Sequence, residues 1–332
     1  MTSARKEGLA EGRLVSIIVP SYNKERFIPG TIRSVQAQTY PHWELLVVDD
    51  ASTDGTVALV KAEADRDPRI KLFAFDENKG ANHCRNKGIE LASGKYIVFL
   101  DADDILAPDC LEQRVATIYK SGYDFCVFTM HVFHEKVGDS NHGWIPDTER
   151  PLADFFMHKL PWSIMQPIWR TDRMRELGGF DESFSRHQDV DLHTRALLRK
   201  GVAWKQVVGR PDCFYRISDE RKNYDAFGLV GRWTDSAIKY YFKFLPAAKE
   251  RNMAPLLLGI INKTYLQILY HRKIGGLDDR QFAELEKKLL DPRIIAGLSL
   301  WKRALLKASR AYNLMPIRIP GVNKLFDTLL VQ

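Results

Sequence analysis

The stretch that decides the fold is KYIVFLDADD, residues 95–104. Five consecutive apolar residues, Tyr96 to Leu100, end abruptly in carboxylates. A short apolar run with polar residues on both sides is typical of a strand buried on both faces. The D-x-D acids Asp101 and Asp103 then follow the carboxyl end of that strand, where ligands bind in open α/β sheets. Carboxylates there suit Mg²⁺ or Mn²⁺, but a solvated Asp-rich turn has the same sequence.

Strand and helix patterns alternate through the first hundred residues. Apolar, β-branched runs predict strands over 15–19, 44–48 and 70–75, with helices over about 25–38 and 55–64 between them. Such alternation predicts an α/β fold with a mostly parallel, Rossmann-like sheet flanked by helices. Right-handed crossovers would bring the loops SYN, DDASTDG and DADD to one edge. No G-x-G-x-x-G fingerprint or P-loop is present, so dinucleotide and NTPase functions are not supported.

The composition is that of a soluble globular protein. Of the 332 residues, 45% are hydrophobic and 27% are charged. Four cysteines are scattered without a C-x-x-C pair or metal-site spacing, which predicts reduced thiols and a cytoplasmic setting. The N-terminus lacks the apolar region of a signal peptide, and no apolar run is long enough to predict a transmembrane helix.

The pattern changes near residue 216, beyond which only helices are expected. These helices are predicted at about 224–244, 254–272, 278–290 and 294–312. We therefore divide the chain into a lead-in (1–14), an α/β domain (15–215) and an α-helical, basic C-terminal region (216–332).

The net charge of +7 is concentrated in the C-terminal part. Residues 1–204 carry 26 basic and 30 acidic side chains, whereas residues 205–332 carry 23 and 12. Basic amphipathic segments such as WKRALLKASR (301–310) bind anionic lipid, although a solvated helix face would have the same charge. No nucleic-acid module is recognisable. We expect no nucleic-acid partner, and we hypothesise a peripheral position on the inner face of the cell membrane.

Five sequence blocks, in this order, resemble the family-2 glycosyltransferases with a GT-A fold. They are VSIIVPSYN (15–23), ELLVVDDASTDGT (44–56), NKGANHCRNKG (78–88), KYIVFLDADD (95–104) and GGFDESFSRHQDVDLHTR (178–195). The resemblance implies an inverting transfer of sugar from a UDP-sugar to a glycan or lipid-linked acceptor, in cell-envelope polysaccharide biosynthesis. It also implies Mn²⁺ or Mg²⁺ as cofactor. The last third of the chain lies outside the resemblance.

The resemblance implies five nucleotide-binding residues. Asp50, the second acid of the DD block, would contact the uracil ring, and Tyr22, beside Pro20, would pack on the base. Arg85 occupies the family's basic position near the nucleotide. Asp101 would contact the ribose or the water shell of the metal. The alternative role for Asp50 is capping a turn.

The same resemblance implies the metal ligand and the catalytic base. Asp103 would bind the metal that bridges the diphosphate. Asp189 would accept the proton of the acceptor hydroxyl as general base, with Asp191 as a supporting acid. Here Gln188 stands where the family has Glu. This departure leaves open a non-catalytic protein that binds nucleotide sugars, and a helix-start carboxylate is the structural alternative for Asp189.

Two further features bear on the function. The loop after the base reads YRISDERK without the usual His, so Arg216, Arg221 or Lys222 would approach the diphosphate. FLDADD also resembles the D-x-D motif of haloacid-dehalogenase-type phosphatases, in which the first Asp is a nucleophile. Those enzymes require Thr or Val where this chain has Ile105, and usually carry the motif on the first strand.

Overall fold

The computed structural model describes residues 13–217, 225–314 and 322–331. The chain forms two compact units. The sheet unit comprises Met1–Glu149, Pro161–Glu182 and Arg195–Asp219, and the helical unit comprises Arg150–Leu160, Ser183–Thr194 and Glu220–Gln332. Two segments from inside the predicted 15–215 domain therefore group with the C-terminal helices. The predicted boundary at residue 216 itself stays a prediction.

Eleven described strands all belong to the sheet unit. In chain order they are β1 Val15–Ser21, β2 Trp43–Asp49, β3 Ile70–Ala74, β4 Tyr96–Phe99, β5 Ile105–Leu106, β6 Phe125–Phe128, β7 Met130–Phe133, β8 Gly143–Trp144, β9 Pro167–Arg170, β10 Trp204–Val207 and β11 Cys213–Arg216. Seven form one sheet in the order β10-β6-β9-β4-β1-β2-β3, and the rest form a sheet in the order β5-β11-β7-β8. In the large sheet only β9 runs antiparallel to its neighbours. The predicted mostly parallel sheet is confirmed.

Thirteen α-helices lie in the described ranges. They are α1 Ile28–Gln36, α2 Thr56–Ala64, α3 Ala81–Leu91, α4 Cys110–Ser121, α5 Pro151–Phe156, α6 Thr171–Glu176, α7 Gln188–Leu198, α8 Ala226–Glu250, α9 Leu258–Lys273, α10 Asp279–Leu289, α11 Pro292–Ala296, α12 Leu300–Leu314 and α13 Val322–Val331. The predicted α-helical C-terminal region is thus confirmed for its described residues. A short 3₁₀ helix, Ala254–Leu257, precedes α9.

Parallel pairing of the buried strands determines which edge of the large sheet carries the ligand-binding loops. Strands β1, β2 and β4 are buried along their whole length, as their apolar runs predict. Helix α3 packs directly on β1, and a Cβ added at Gly88 would lie 2.3 Å from Cγ2 of Ile18. Because β1 pairs in parallel with both β2 and β4, the carboxyl ends of the three strands lie side by side.

The C-terminal helices depart from prediction over residues 294–312 and in the additional helix α13, which was not predicted. A single helix was expected over residues 294–312, but the chain forms α11 and α12 instead. Gly297 ends α11, and the hydroxyl of Ser299 accepts a hydrogen bond from the Lys302 amide at 3.3 Å, as an N-cap does. In the described ranges, no helix combines the length and apolarity needed to cross a bilayer.

All four cysteines are buried free thiols, as the scattered spacing predicts. They are Cys84, Cys110, Cys126 and Cys213.

Candidate active site

The loops after β1 and β2 are joined at the carboxyl edge of the sheet. The amide of Asp50 donates to the Ser21 carbonyl at 2.8 Å, and Oδ1 of Asn23 accepts from the Thr53 amide at 2.8 Å. Asn23 lies in the left-handed region at φ 50°, which Asn tolerates better than most residues. The amide of Lys24 donates to Oγ1 of Thr56 at 2.7 Å. These bonds fix two of the three loops that the sequence predicted to converge.

The third loop carries the D-x-D acids, and a basic side chain holds each of them. Nη2 of Arg85, on α3, donates to Oδ1 of Asp101 at 2.7 Å. Nζ of Lys24, in the loop after β1, lies 2.5 Å from Oδ2 of Asp103. Arg85 is only 5% exposed, and its Nε and Nη1 are buried without a partner in the described part of the chain. All three predicted loops therefore meet, and cations balance the two acids.

Asp104 is fully buried directly behind the D-x-D pair. Its Oδ1 accepts from the Arg216 amide at 2.7 Å. Burial, reinforced by the charges of Asp101 and Asp103, raises the pKa of Asp104 well above its usual range. Nε of Arg216 also donates to the Asp103 carbonyl at 2.9 Å. Strand β11 thus anchors the backbone of the D-x-D turn.

The three other residues assigned to the nucleotide have different surroundings. The carboxylate of Asp50 accepts from the amides of Lys79 at 2.7 Å and Gly80 at 2.9 Å, so Asp50 holds the loop that leads into α3. Each carboxylate oxygen has a second acceptor site, so the uracil contact stays a prediction. Tyr22 is 46% exposed at the same edge, and Pro20 pairs with Val48 inside the sheet.

Asp189 and Asp191 lie in the first turn of α7, within the helical unit. Oδ1 of Asp189 accepts from the Val190 amide at 2.9 Å. Asp191 is buried and forms an ion pair with Lys243 at 2.5 Å. Gln188 is the first residue of the helix, and the residue before it, His187, has a φ of 59°. The expected helix start is confirmed, and the catalytic role of Asp189 stays a prediction.

Of the three basic residues predicted to approach the diphosphate, the structure describes only Arg216. Arg216 contacts the D-x-D backbone as described above, and its guanidinium also lies 4.3 Å from the centre of the Phe133 ring. A contact between Arg216 and diphosphate stays a prediction. Arg221 and Lys222 lie outside the described residues.

Sequence reasoning missed Lys24 and the structural role of Asp104. The signal for Lys24 was present, since it stands four residues beyond Pro20 in the loop at the carboxyl end of β1. A cation there is within reach of an acid that follows the adjacent strand β4. No comparable signal marked Asp104, because its carboxylate accepts from the Arg216 amide in the distant strand β11, which pairs with β5.

The acids at this edge fit a divalent cation that is shared with a ligand. In residues 13–217, 225–314 and 322–331, no group of three His, Cys, Asp or Glu side chains is placed to hold a metal by itself. Mg²⁺ sites at nucleotides typically use only one or two carboxylates, with phosphate oxygens completing the coordination. Asp101 and Asp103 supply such a pair, and the cations beside them show that the position attracts positive charge.

Comparison with known proteins identifies the family. Residues 16–179 match the family model described as "Glycosyl transferase family 2". These residues form a family-2 glycosyltransferase domain. The predicted family is therefore confirmed, and the match spans the first four of the five sequence blocks. The match ends before Gln188, so the start of α7 lies beyond the part of the family-2 domain that the family model covers.

Curated relatives match about a third of the chain. WfgD of Escherichia coli, "UDP-Glc:alpha-D-GlcNAc-diphosphoundecaprenol beta-1,3-glucosyltransferase", is 46% identical over 112 residues, which are 34% of this chain and 44% of WfgD. TuaG of Bacillus subtilis, provisionally named a teichuronic acid biosynthesis glycosyltransferase, is 46% identical over 102 residues, 31% of this chain and 40% of TuaG. The matched part thus spans less than half of either relative.

Solved structures agree with the fold over nearly the whole chain. S. aureus TarS (residues 1–349) superposes with a TM-score of 0.61 at 19% identity, covering 96% of this chain and 90% of TarS. The mannosyltransferase PcManGT from Pyrobaculum calidifontis, solved with GDP-Man and Mn²⁺, gives 0.53 at 20% identity and covers 95% and 83%. Identities this low establish the fold alone. The predicted GT-A fold is confirmed.

Proposed function

We propose that the protein is an inverting glycosyltransferase that moves a sugar from a UDP-sugar to a lipid-linked glycan in cell-envelope polysaccharide biosynthesis. The observation that carries the proposal is the pairing of Asp101 with Arg85 and of Asp103 with Lys24 at the ligand-binding edge of a family-2 domain. The relative WfgD, by its name, uses UDP-Glc and a diphosphoundecaprenol acceptor, and TarS was crystallised with UDP and with UDP-GlcNAc.

The nucleotide would bind along the joined loops. Tyr22 is exposed where a base can stack on it, and Asp50 is held by the amides of Lys79 and Gly80 in one orientation. Arg85, held against Asp101, would supply positive charge close to the nucleotide. Pro20 would set the direction in which the chain leaves β1 for this loop.

Asp103 would hold a divalent cation, either Mn²⁺ or Mg²⁺, with Asp101 beside it. The cation supplies charge neutralisation at the diphosphate when bound. Lys24 contacts the carboxylate of Asp103 that would hold the cation. Lys24 would therefore turn to the diphosphate, where its ammonium group meets another anion.

Asp189 would act as the general base. Its carboxylate accepts the proton of the acceptor hydroxyl while that oxygen attacks the anomeric carbon. The bond between the anomeric carbon and the diphosphate oxygen breaks, and UDP leaves with the bonding electrons. A single displacement of this kind inverts the anomeric centre. Gln188, in place of Glu, removes one negative charge beside the base without removing the base.

The cytoplasmic setting and the membrane position are also proposals. Leu300 and Trp301, at the start of α12, are 82% and 65% exposed, and the region from residue 205 carries 23 basic against 12 acidic side chains. Exposed Trp beside basic residues suits the surface of an anionic bilayer. We expect flotation with vesicles that contain phosphatidylglycerol and not with phosphatidylcholine vesicles, and loss of flotation in Leu300→Ser/Trp301→Ser. Equal binding to both vesicle types would contradict the proposal.

Calorimetric titration with UDP tests whether Asp103 supports metal-dependent nucleotide binding and whether Asp189 is dispensable for it. We expect the wild type to bind UDP with Mn²⁺ and to lose most of that binding in EDTA. Asp103→Ala should remove the metal-dependent part, and Asp189→Asn should leave UDP binding intact. Asp65→Ala, an exposed acid at the end of α2, is the matched control and should behave as the wild type.

Turnover separates an enzyme from a non-catalytic binding protein. The assay is UDP release from UDP-glucose or UDP-GlcNAc, with a GlcNAc-diphosphoundecaprenol acceptor. Loss of a positioned base typically costs about 10²- to 10⁴-fold in rate, so Asp189→Asn should lose that much while still binding UDP. Equal turnover in Asp189→Asn and the wild type would refute the role of Asp189. UDP binding without turnover of either donor would favour the non-catalytic alternative.

A further inference from the structure

We infer that helix α8 positions the start of α7, and that Lys243 is the principal positioning residue for Asp189. This inference rests on the proposed role of Asp189 as base. It assigns a function to the first of the C-terminal helices. All the contacts that carry it lie within the helical unit, in which Ser183–Thr194 packs with the chain beyond residue 220.

The central contact is an ion pair with a buried carboxylate, in which the Lys243 side chain is 27% exposed. Nζ of Lys243 lies 2.5 Å from Oδ1 of Asp191, whose side chain is 1% exposed. A buried carboxylate needs a partner, and removing that partner is strongly unfavourable because an uncompensated charge remains. Asp191 follows Asp189 by two residues in the first turn of α7. Lys243 therefore restrains the first turn of α7, which carries the proposed base.

Two more contacts from α8 bracket the same segment. Oγ of Ser236 accepts from the Arg186 amide at 3.2 Å. The hydroxyls of Tyr240 and Thr194 are 2.6 Å apart, and both residues are fully buried. One contact lies three residues before Asp189, and the other lies five residues after it. The backbone on both sides of the base is thus held by α8.

These contacts come from one face of α8. Positions 236, 240 and 243 are spaced by four and three residues, the spacing that brings side chains into line along a helix. The match to the family-2 model ends at residue 179, before the segment that this face of α8 holds. The placement of Asp189 therefore depends on a helix that follows the matched domain in the chain.

Another ion pair on the same helix provides a control. Asp235 pairs with Lys288 of α10 at 2.5 Å, with side chains 56% and 47% exposed. It also joins a Lys to an Asp on α8, but it is exposed, and among the described residues it makes no hydrogen bond or ion pair with the Ser183–Thr194 segment. Exposed pairs contribute little to stability, so Asp235→Asn also breaks an ion pair of α8 but leaves Ser236, Tyr240 and Lys243 in place.

The test compares Lys243→Met, Lys243→Arg and Asp235→Asn with the wild type in the full-length protein. Hydrogen–deuterium exchange of peptides that cover 183–194 is the first readout, since it needs no substrate. We expect at least a several-fold faster exchange in Lys243→Met. Exchange near the wild-type rate is expected in Lys243→Arg, which keeps the charge, and in Asp235→Asn. Peptides that cover the D-x-D loop should not change in any variant.

Kinetics give the second readout. A misplaced catalytic group can lose about 10²-fold in rate, so kcat of Lys243→Met for UDP-glucose should fall roughly 10- to 100-fold. KM for the donor and the affinity for UDP should stay unchanged, and Lys243→Arg should restore most of kcat. Tyr240→Phe removes one hydroxyl without a charge and is the milder variant should Lys243→Met fold poorly. It should give a smaller change in the same direction.

The outcomes distinguish the two proposals. Unchanged exchange over 183–194 in both Lys243→Met and Tyr240→Phe would overturn the positioning role of α8. Faster exchange with unchanged kcat, in a protein that Asp189→Asn inactivates, would also overturn it. If Asp189→Asn stays fully active, the proposed base is wrong, and the exchange result alone then decides whether α8 holds the segment.

Discussion

The substitution Arg114→Met should be among the most destabilising single changes in the sheet unit. Arg114 on α4 is fully buried and donates through Nε and Nη2 to the two carboxylate oxygens of Asp212, both at 2.7 Å. Its Nη1 donates to the Met165 carbonyl at 2.8 Å. The side chain of Asp212 is 1% exposed. Met nearly fills the same space but supplies none of the three donors.

The predicted loss of stability comes from the buried groups that Arg114→Met leaves without a partner. Breaking a buried ion pair by removing one partner typically costs about 3–5 kcal/mol. A buried carbonyl without its donor adds about 1 kcal/mol or more. We therefore expect a loss of about 4–6 kcal/mol in the free energy of unfolding, with a larger effect than any exposed pair can give. The backbone of Asp212 also bonds to Ala107 and Thr129, so the loss should loosen the D-x-D turn.

Urea unfolding followed by tryptophan fluorescence measures this loss, because Trp43, Trp162 and Trp169 are buried in the sheet unit. The double variant Arg114→Met/Asp212→Leu should regain at least half of the stability, since no unpaired charge remains. Arg66→Met, which removes an Arg that is 74% exposed and pairs with Glu63, should cost less than about 1 kcal/mol. A loss below about 1 kcal/mol in Arg114→Met would refute the reasoning.

Two further predictions concern packing and pH. Gly88→Ala should cost about 1–3 kcal/mol, because the new Cβ meets Ile18 on β1, whereas Gly209→Ala, with nothing within 4 Å, should leave the thermal midpoint unchanged or slightly raised. Burial, helped by the charge of Arg186, lowers the pKa of His187 from 6.5 to about 4. The unfolded chain therefore takes up a proton that the folded state does not bind, and stability should fall as the pH drops from 6.5 towards 4, by up to about 1.4 kcal/mol per pH unit. His187→Asn should flatten this slope in urea titrations at pH 7, 6 and 5, and a parallel slope would contradict the assignment.

The candidate site was predictable where local pattern and topology coincide. A run of apolar residues that ends in acids predicts both a buried strand and a ligand edge, and β4 with Asp101 and Asp103 has this form. Right-handed crossovers then require neighbouring loops to meet, as the bond between Lys24 and Asp103 confirms. The partner of Asp104 was not predictable, because its carboxylate accepts from the amide of Arg216, 112 residues further along the chain.

Local sequence by itself determined the alternating elements, the parallel core of the sheet and the edge at which the acids lie, because the alternation of strands and helices and the hydrophobic runs are short-range properties. Only the tertiary structure decided which cation holds which acid, and that Ser183–Thr194 packs with the C-terminal helices rather than with the sheet. Contacts such as that between Lys243 and Asp191 join residues about fifty positions apart. No local pattern encodes such a contact, since it forms only when separate elements pack against each other.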